Sequence, residues 1–365
     1  MNFIFNILKN KVFKLLLIYV IILGTFDFFL GQKIINLLYQ YNFLIDPKIE
    51  MRLQQENEKK YRVKNEIFHH SFKKNVNVKS QWGPFIYNTC TDDNGFRTNC
   101  INNNKFNKNI IIIGDSFTEG IGLDYENTFA GMISSSWKFN IFNMAVSSYS
   151  PIIYKVKTKY YIDKGLDAEH VIVFVDISDI DDEFYYYHCE NNISVCDSRE
   201  ILDKKKNTKK IKYKFPLTRK FKTFFKIQKR KIFPKNIIYE KEFLRSGWTY
   251  LPENLQIQKG IKNSLDNMNE LYNYLKGENI PLTVVVYPWP GQLLFDEVNS
   301  KQVKIWKKFC ENKCKNFINL FPIFFENIEI EGKKNTIDNY YLKNDVHFND
   351  KGHRKIFKAL NNYSF

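Results

Sequence analysis

The stretch Asn109-Ile-Ile-Ile-Ile-Gly-Asp-Ser-Phe-Thr-Glu-Gly120 decides the fold. Four consecutive isoleucines, each branched at Cβ, predict a strand buried on both faces, as central strands of parallel sheets are. Gly114 lets the backbone turn, and Asp115 and Ser116 fall where that strand ends. In open parallel sheets, ligands bind outside the carboxyl ends of the strands. A serine on a tight turn there, just before a helix, is placed as a nucleophile would be. On the tripeptide alone, a simple polar turn accounts for it equally well.

The sequence on either side carries the same rhythm. Strands are predicted at 140–146, 171–177, 282–287 and 317–321. Helices are predicted between them at 126–137, 151–163, 254–275 and 298–313, with a closing helix at 350–360. Five strands separated by helices predict a doubly wound α/β fold, a three-layer α/β/α arrangement around a five-stranded, mostly parallel sheet. The 365 residues are 44% hydrophobic with a net charge of +16, a globular composition. Its excess of Lys, Asn, Ile, Phe and Tyr points to no function.

The first residues are basic (Lys9, Lys11, Lys14), and a nearly unbroken apolar run follows from Leu15 to Phe26, continued by Phe28-Phe29-Leu30. The span 13–30 is just long enough to cross a bilayer as an N-terminal transmembrane helix. The basic side would face the cytoplasm. A cleaved signal peptide is the alternative, but no small-x-small cleavage site follows. Residues 1–31 are thus expected to be a short tail and membrane anchor, with the body of the chain on the periplasmic or extracellular side. Residues 32–107 read as a linker and a small lead-in, and 108–365 as the main domain.

The six cysteines fall in three close pairs: Cys90 with Cys100, Cys189 with Cys196, Cys310 with Cys314. Local pairing suggests disulfides and an oxidising compartment. Zinc is the competitor, though no pair has knuckle spacing. Cys310 and Cys314 lie four apart on a predicted helix, where a bridge is awkward. Cys90 and Cys100 flank the turn Asp92-Asp93-Asn94-Gly95, predicting a stapled hairpin.

An insertion at about 184–254 breaks the α/β rhythm. Lys and Arg crowd its middle, opposed only by Asp203, Glu240 and Glu242, with Leu217, Phe221, Phe224, Phe225 and Ile232 interleaved. It reads as a solvated surface or as a basic amphipathic segment that docks on anionic headgroups. Nucleic acid is not an expected partner outside the cytoplasm.

A serine nucleophile needs a base within reach and donors for the oxyanion. Lys343-Asn-Asp-Val-His-Phe-Asn-Asp-Lys-Gly-His353 offers His347 on a loop before the closing helix, with Asp345, or less favourably Asn344, to orient it. Here the sequence resembles the SGNH (GDSL-type) hydrolase superfamily over most of 109–360. Gly114-Asp-Ser-Phe-Thr-Glu-Gly120 is similar to its first block, Asp345-Val-His-Phe-Asn-Asp-Lys-Gly352 to its last, and Asn94-Gly-Phe-Arg97 to the lead-in of bacterial members. The resemblance implies a flavodoxin-like fold and a carboxylic ester hydrolase. Ser116 would attack, His347 would act as base, Asp345 would orient the imidazole, and no metal or organic cofactor is implied. Ser116, Ser148 and Ser178 would line the oxyanion hole, the last two where the family has glycine and asparagine. Asp115, Asp179, Trp289 and Gln292 are the candidate substrate contacts. Asp181-Asp182-Glu183 could hold a cation or be a hydrated loop. The expected activity is removal of acyl, most simply acetyl, groups from a glycan or lipid-linked carbohydrate. Acyl transfer on the same site and a degenerate carbohydrate-binding module are the rivals.

Overall fold

The computed structural model describes residues 11–40, 57–101, 106–185, 187, 245–252, 255–343 and 345–365. They fall in two compact units, one holding residues 11–40 and the other the described residues from 57 on. The first unit contributes one long described helix, α1 (Lys11–Gln40). Its apolar side chains from Ile18 to Leu23 are exposed, whereas Asp27 is buried. The expected transmembrane segment is not found as such, because no helix among the described residues is long and apolar enough to cross a membrane.

In the second unit, burial follows from side-chain alternation. Ile111 and Ile113 enter one apolar core and Ile110 and Ile112 the other, so the Ile run is covered on both faces. Fully burying each such side chain is worth roughly 1.5–3 kcal/mol. The strands are β1 (Arg62–Asn65), β2 (His69–Phe72), β3 (Asn77–Trp82), β4 (Phe85–Thr91), β5 (Arg97–Thr98), β6 (Asn109–Ile113), β7 (Asn140–Asn143), β8 (His170–Val175), β9 (Leu282–Val286) and β10 (Asn316–Asn319). After α1 come the helices α2 (Ser116–Glu119), α3 (Phe129–Ser136), α4 (Pro151–Asp163), α5 (Asp179–Tyr185), α6 (Leu255–Gly277), α7 (Pro290–Phe295), α8 (Lys301–Cys310), α9 (Phe321–Glu331), α10 (Lys333–Tyr340) and α11 (Asp350–Leu360).

The main sheet runs β10-β9-β8-β6-β7-β5-β4-β3. Its five parallel strands are those read from the sequence. Taken alone, they have the order 2-1-3-4-5 of a flavodoxin-like sheet. Residues of α4, α6 and α8 pack on one face, and residues of α3, α9 and α11 on the other. Among the described residues the sheet has eight strands rather than the expected five. The additional three come from the lead-in, which forms no separate layer. β3 and β4 make a hairpin, β4 pairs with β5, and β5 joins β7 through the single register pair Arg97↔Asn143, all antiparallel. The lead-in therefore extends the sheet edge next to β7. Only β1 and β2 stand apart, as a two-stranded ribbon.

Cys90 and Cys100 are bridged across the β4–β5 turn, with Cα atoms 5.3 Å apart. Cys310 and Cys314 are bridged too. The bridge is feasible because α8 ends at Cys310 and Asn312 takes a left-handed backbone (φ 59°), which turns Cys314 back to a Cα distance of 4.8 Å. The Cys189–Cys196 pair and the basic core of the insertion lie outside the described residues.

One interior group is unusual for its charge. Lys157 on α4 is fully buried, with Nζ 2.9 Å from Met144 O, 3.1 Å from Tyr149 Oη and 3.3 Å from Ser71 Oγ. Burial pulls its pKa down from 10.5 to about 7, against weaker opposing pulls from Asp92 and Glu119. Between those values the unfolded chain holds the extra proton, so this group makes stability rise with pH, by up to about 1.4 kcal/mol per unit. Urea unfolding of the wild type and of Lys157→Met at pH 7 and pH 9 measures the difference. The wild type is expected to gain stability relative to the variant at the higher pH.

Candidate active site

Ser116 owes its position to the end of β6. A Cβ on Gly114 would lie 2.3 Å from Thr118 Oγ1 and 2.9 Å from Phe174 O, so only glycine lets the strand turn this close to β8. Asp115 caps α2, its Oδ1 accepting the Phe117 N–H at 3.0 Å. Gly120 closes the helix with φ 78°. Arg97 fixes that end, its guanidinium donating to the carbonyls of Glu119, Gly120 (2.6 Å) and Leu123.

His347 sits on a tight loop between α10 and α11. The loop is pinned by the Tyr341↔Phe348 bridge and by Leu342 N–H to His347 O at 2.8 Å. Asn349 caps α11 through Gly352 N–H (3.0 Å) and ties the loop back to Asn339 O and Tyr341 O. Both chain segments thus deliver their side chains at the carboxyl edge of the sheet, where the connections leaving the paired strands β6 and β8 go to opposite faces.

There they meet. His347 Nε2 is 2.8 Å from Ser116 Oγ, and His347 Nδ1 is hydrogen-bonded to Asp345 Oδ1. The same Asp345 oxygen accepts the His347 N–H at 3.0 Å. Ser116 is 8% and His347 5% exposed, so the pair is largely shielded from solvent. Burial opposes the imidazolium, but the bonded Asp345 outweighs it and lifts the His347 pKa above 6.5. Burial likewise opposes Asp345 ionisation, and His347 outweighs it, holding the carboxyl below its ordinary range. His353, the other histidine of this segment, is buried beneath α3. There its Nδ1 accepts the Phe129 N–H at 3.2 Å.

Asp115 adds a second contact to the serine, its Oδ2 lying 3.0 Å from Ser116 Oγ. Oδ1 is occupied by the Phe117 N–H and by the Tyr287 O–H, also at 3.0 Å. Burial, then the neighbouring Asp176, push the Asp115 pKa up to about 8. Ionised Asp115 accepts the Ser116 O–H on Oδ2, whereas a proton on Asp115 belongs on that same oxygen and reverses the bond. The serine's own proton then points to His347 Nε2.

Ser148 takes a left-handed backbone (φ 64°). Its loop is clamped by Ser147 N–H to Glu119 Oε2 at 2.6 Å, by His70 Nε2 at 2.8 Å from Ser147 O, and by the Tyr187 hydroxyl on Ser148 O. Glu119 is in turn held by Arg62 at 2.8 and 3.0 Å. Among the described residues, no hydrogen bond takes up the Ser116 or Ser148 N–H. Ser178 differs, its N–H donating to Asp176 Oδ1 at 2.7 Å.

The expected substrate contacts divide. Asp115 touches the serine. Asp179 is buried away from it, bonded to Tyr154 Oη (3.1 Å) and the Asp176 N–H (3.1 Å), a brace between β8 and α4. Trp289 is 4% exposed; its indole donates to Asp176 Oδ2 at 2.6 Å, and its ring stacks on Phe117 at 5.8 Å. Gln292 is wholly buried, its amide bonded to Trp289 N–H, Ser300 and Gln302. These last three residues hold the site's walls and present no free group to a sugar. Asp182 pairs with Arg245 at 2.8 Å, and Glu183 bonds Ser150 and Asn267, so these two carboxylates of the acidic triplet are engaged by protein. Among the described residues, no group of three metal-ligating side chains comes together.

Several contributors escaped the sequence reading. Glu119 and Arg97 lay inside quoted motifs, and Tyr287 ends a predicted strand, so each carried a positional signal. Trp82, whose indole donates to Asp345 Oδ2 at 2.8 Å from 263 residues upstream, carried none.

No family model and no curated protein matches the chain. Among solved structures it is similar to the psychrotrophic esterase EstA from Pseudoalteromonas sp., with 10% identity over 70% of this chain and 96% of that one, TM-score 0.39. It is also similar to a member of the lipolytic G-D-S-L family from Veillonella parvula (11%, 70% and 97%, TM-score 0.38). A third is a catalytic mutant of Axe2, an acetylxylan esterase from Geobacillus stearothermophilus (11%, 70% and 94%, TM-score 0.38). Likeness at this level carries no argument about activity, which rests on the site's own geometry.

The two pKa shifts define a pH profile for Ser116 reactivity. It falls on the acid side, with a midpoint above 6.5, as His347 is protonated. It falls again above about 8, as ionised Asp115 draws the serine proton away from His347. Asp115→Asn keeps a donor toward Ser116 that cannot ionise. Rates of fluorophosphonate labelling across pH 5–10 should show the alkaline limb lost and the acid limb kept in that variant.

Proposed function

We propose that this chain is a membrane-anchored, extracytoplasmic serine esterase that removes acyl groups, most simply acetyl, from a glycan or a lipid-linked carbohydrate. The observation that carries the reading is the continuous hydrogen-bonded chain Ser116–His347–Asp345 at the carboxyl edge of the sheet. In the proposed reaction, Ser116 Oγ attacks the ester carbonyl carbon as its proton passes to His347 Nε2, and Asp345 stabilises the imidazolium formed. The oxyanion receives the N–H groups of Ser116 and Ser148, with the Ser178 hydroxyl as a third donor. Collapse breaks the bond to the leaving alkoxy group, which takes the His347 proton. Water, deprotonated by His347, then attacks the acyl-serine and releases the acid and free Ser116.

Two further features support the setting. The disulfides Cys90–Cys100 and Cys310–Cys314 suit an oxidising compartment. The exposed apolar stretch 18–23 of α1, with Lys9, Lys11 and Lys14 beside it in the sequence, suits attachment to an anionic membrane surface rather than a crossing, since no described helix is long and apolar enough to span one. Acyl transfer to a sugar hydroxyl is a second reading, favoured by the burial of Ser116 and His347. A shielded acyl-serine resists water until an acceptor arrives.

The full-length chain in detergent should hydrolyse p-nitrophenyl acetate. Ser116→Ala and His347→Ala should each cut kcat/KM by about a thousandfold or more, and Asp345→Asn by a similar order. Activity that survives both alanine changes rules out this assignment. Labelling of Ser116 by a fluorophosphonate without turnover favours the transferase, and absence of both favours a binding module.

A further inference from the structure

The Asp345 carboxylate is held from two sides. Oδ1 takes both bonds from His347, the backbone N–H at 3.0 Å and the ring Nδ1. Oδ2 takes the indole N–H of Trp82 at 2.8 Å. Trp82 is the last residue of β3, on the outermost strand of the main sheet, where the hairpin turns at Gly83 with φ 53°. Its ring also meets His347 edge-on, with centroids 5.5 Å apart and planes at 88°.

Rotation about the Cβ–Cγ bond is the soft degree of freedom of an aspartate. Two His347 bonds on one oxygen leave it hinged at that oxygen. A donor on the second oxygen fixes the carboxylate plane, and thereby the direction in which Oδ1 meets Nδ1. Indole N–H has no acceptor capacity, so it supports the carboxylate and cannot compete for the His347 proton. It also draws charge toward Oδ2, tempering how strongly Asp345 stabilises the imidazolium.

We infer that Trp82 is a positioning residue for the serine–histidine–aspartate chain, so that the lead-in hairpin completes the active site rather than merely extending the sheet. The inference rests on the esterase reading for its kinetic consequence, but the bond itself can be tested without turnover.

Two replacements remove the N–H: Trp82→Phe, and benzothienylalanine at position 82, which keeps the bicyclic shape and puts sulfur in place of N–H. In the full-length chain, kcat for p-nitrophenyl acetate should fall about tenfold in both, with KM within twofold of wild type. The acid limb of kcat/KM should move to higher pH, because the freed carboxylate charge favours the imidazolium. A purely structural role for the ring would spare the benzothienyl protein on every readout. The titration of His347 followed by NMR should show the same upward displacement. If the wild type hydrolyses no ester and does not label at Ser116, the esterase reading fails and the titration alone decides the role of Trp82. A His347 midpoint and kcat unchanged in the benzothienyl protein overturn the inference, even if Trp82→Phe is inactive through misfolding.

Discussion

The hydrogen bond between Ser116 and His347 joins segments 231 residues apart at a place largely shielded from solvent. Much of the surrounding structure follows from that constraint. A buried polar atom without a partner costs about 1–3 kcal/mol, so each group brought to the site must bring its own partner with it. His347 brings Asp345, and Asp345 brings Trp82 from the sheet edge. Ser116 brings Asp115, whose other oxygen is satisfied by Tyr287 at the end of β9. Asp176 is satisfied by Trp289 on the following turn. The walls of the site are thus a chain of donors and acceptors that crosses the strand ends from β3 to β9. That is why Trp289 and Gln292, which look like sugar contacts in sequence, are spent on structure.

The same economy of donors governs charge. Asp115 follows β6, Asp176 follows the neighbouring strand β8, and Asp179 opens α5. Burial and their mutual repulsion push the pKa values of Asp115 and Asp179 upward. Like charges packed this closely cannot all be carried, so protons are retained. Retention at Asp115 has a directional consequence, since its proton faces the serine and leaves the serine proton to His347. An acidic cluster can in this way help to orient the Ser116 hydroxyl.

What was legible in the sequence was what is local. Ile110 to Ile113 must be buried on both faces wherever they lie, and Gly114-Asp-Ser follows them covalently, so strand and nucleophile turn could be read together. The parallel strands β6 to β10 were legible for the same reason, through apolar runs separated by helical spacing. The lead-in was not, because alternation in β3 and β4 specifies a half-buried hairpin but not what its edge pairs with. The joint is one register pair, Arg97↔Asn143, which no periodicity encodes. The bridge Cys310–Cys314, expected from the pairing but awkward on a continuous helix, is made feasible by a helix stop at Cys310 that depends on Asn312 entering a left-handed conformation. Trp82 is the extreme case, a single N–H whose meaning exists only after the sheet has assembled.

The loop that carries Ser148, a donor to the oxyanion on the proposed mechanism, shows how tertiary structure can replace a residue type. Ser148 occupies a left-handed backbone where a glycine would be unstrained, at a cost of roughly 1–2 kcal/mol. Such a conformation persists only where its surroundings over-determine it. Here they do so through Glu119, His70 and Tyr187, which hold both flanking peptide groups, and through Arg62, which holds Glu119. The geometry that glycine would supply for nothing is thus imposed by a clamp drawn from β1, β2, α2 and Tyr187. Ser178 has no equivalent support for a backbone role, because its N–H is committed to Asp176. On the proposed mechanism, then, the developing charge rests chiefly on two backbone donors. The clamp on Ser147 and Ser148 matters more to them than the identity of the side chain at 178.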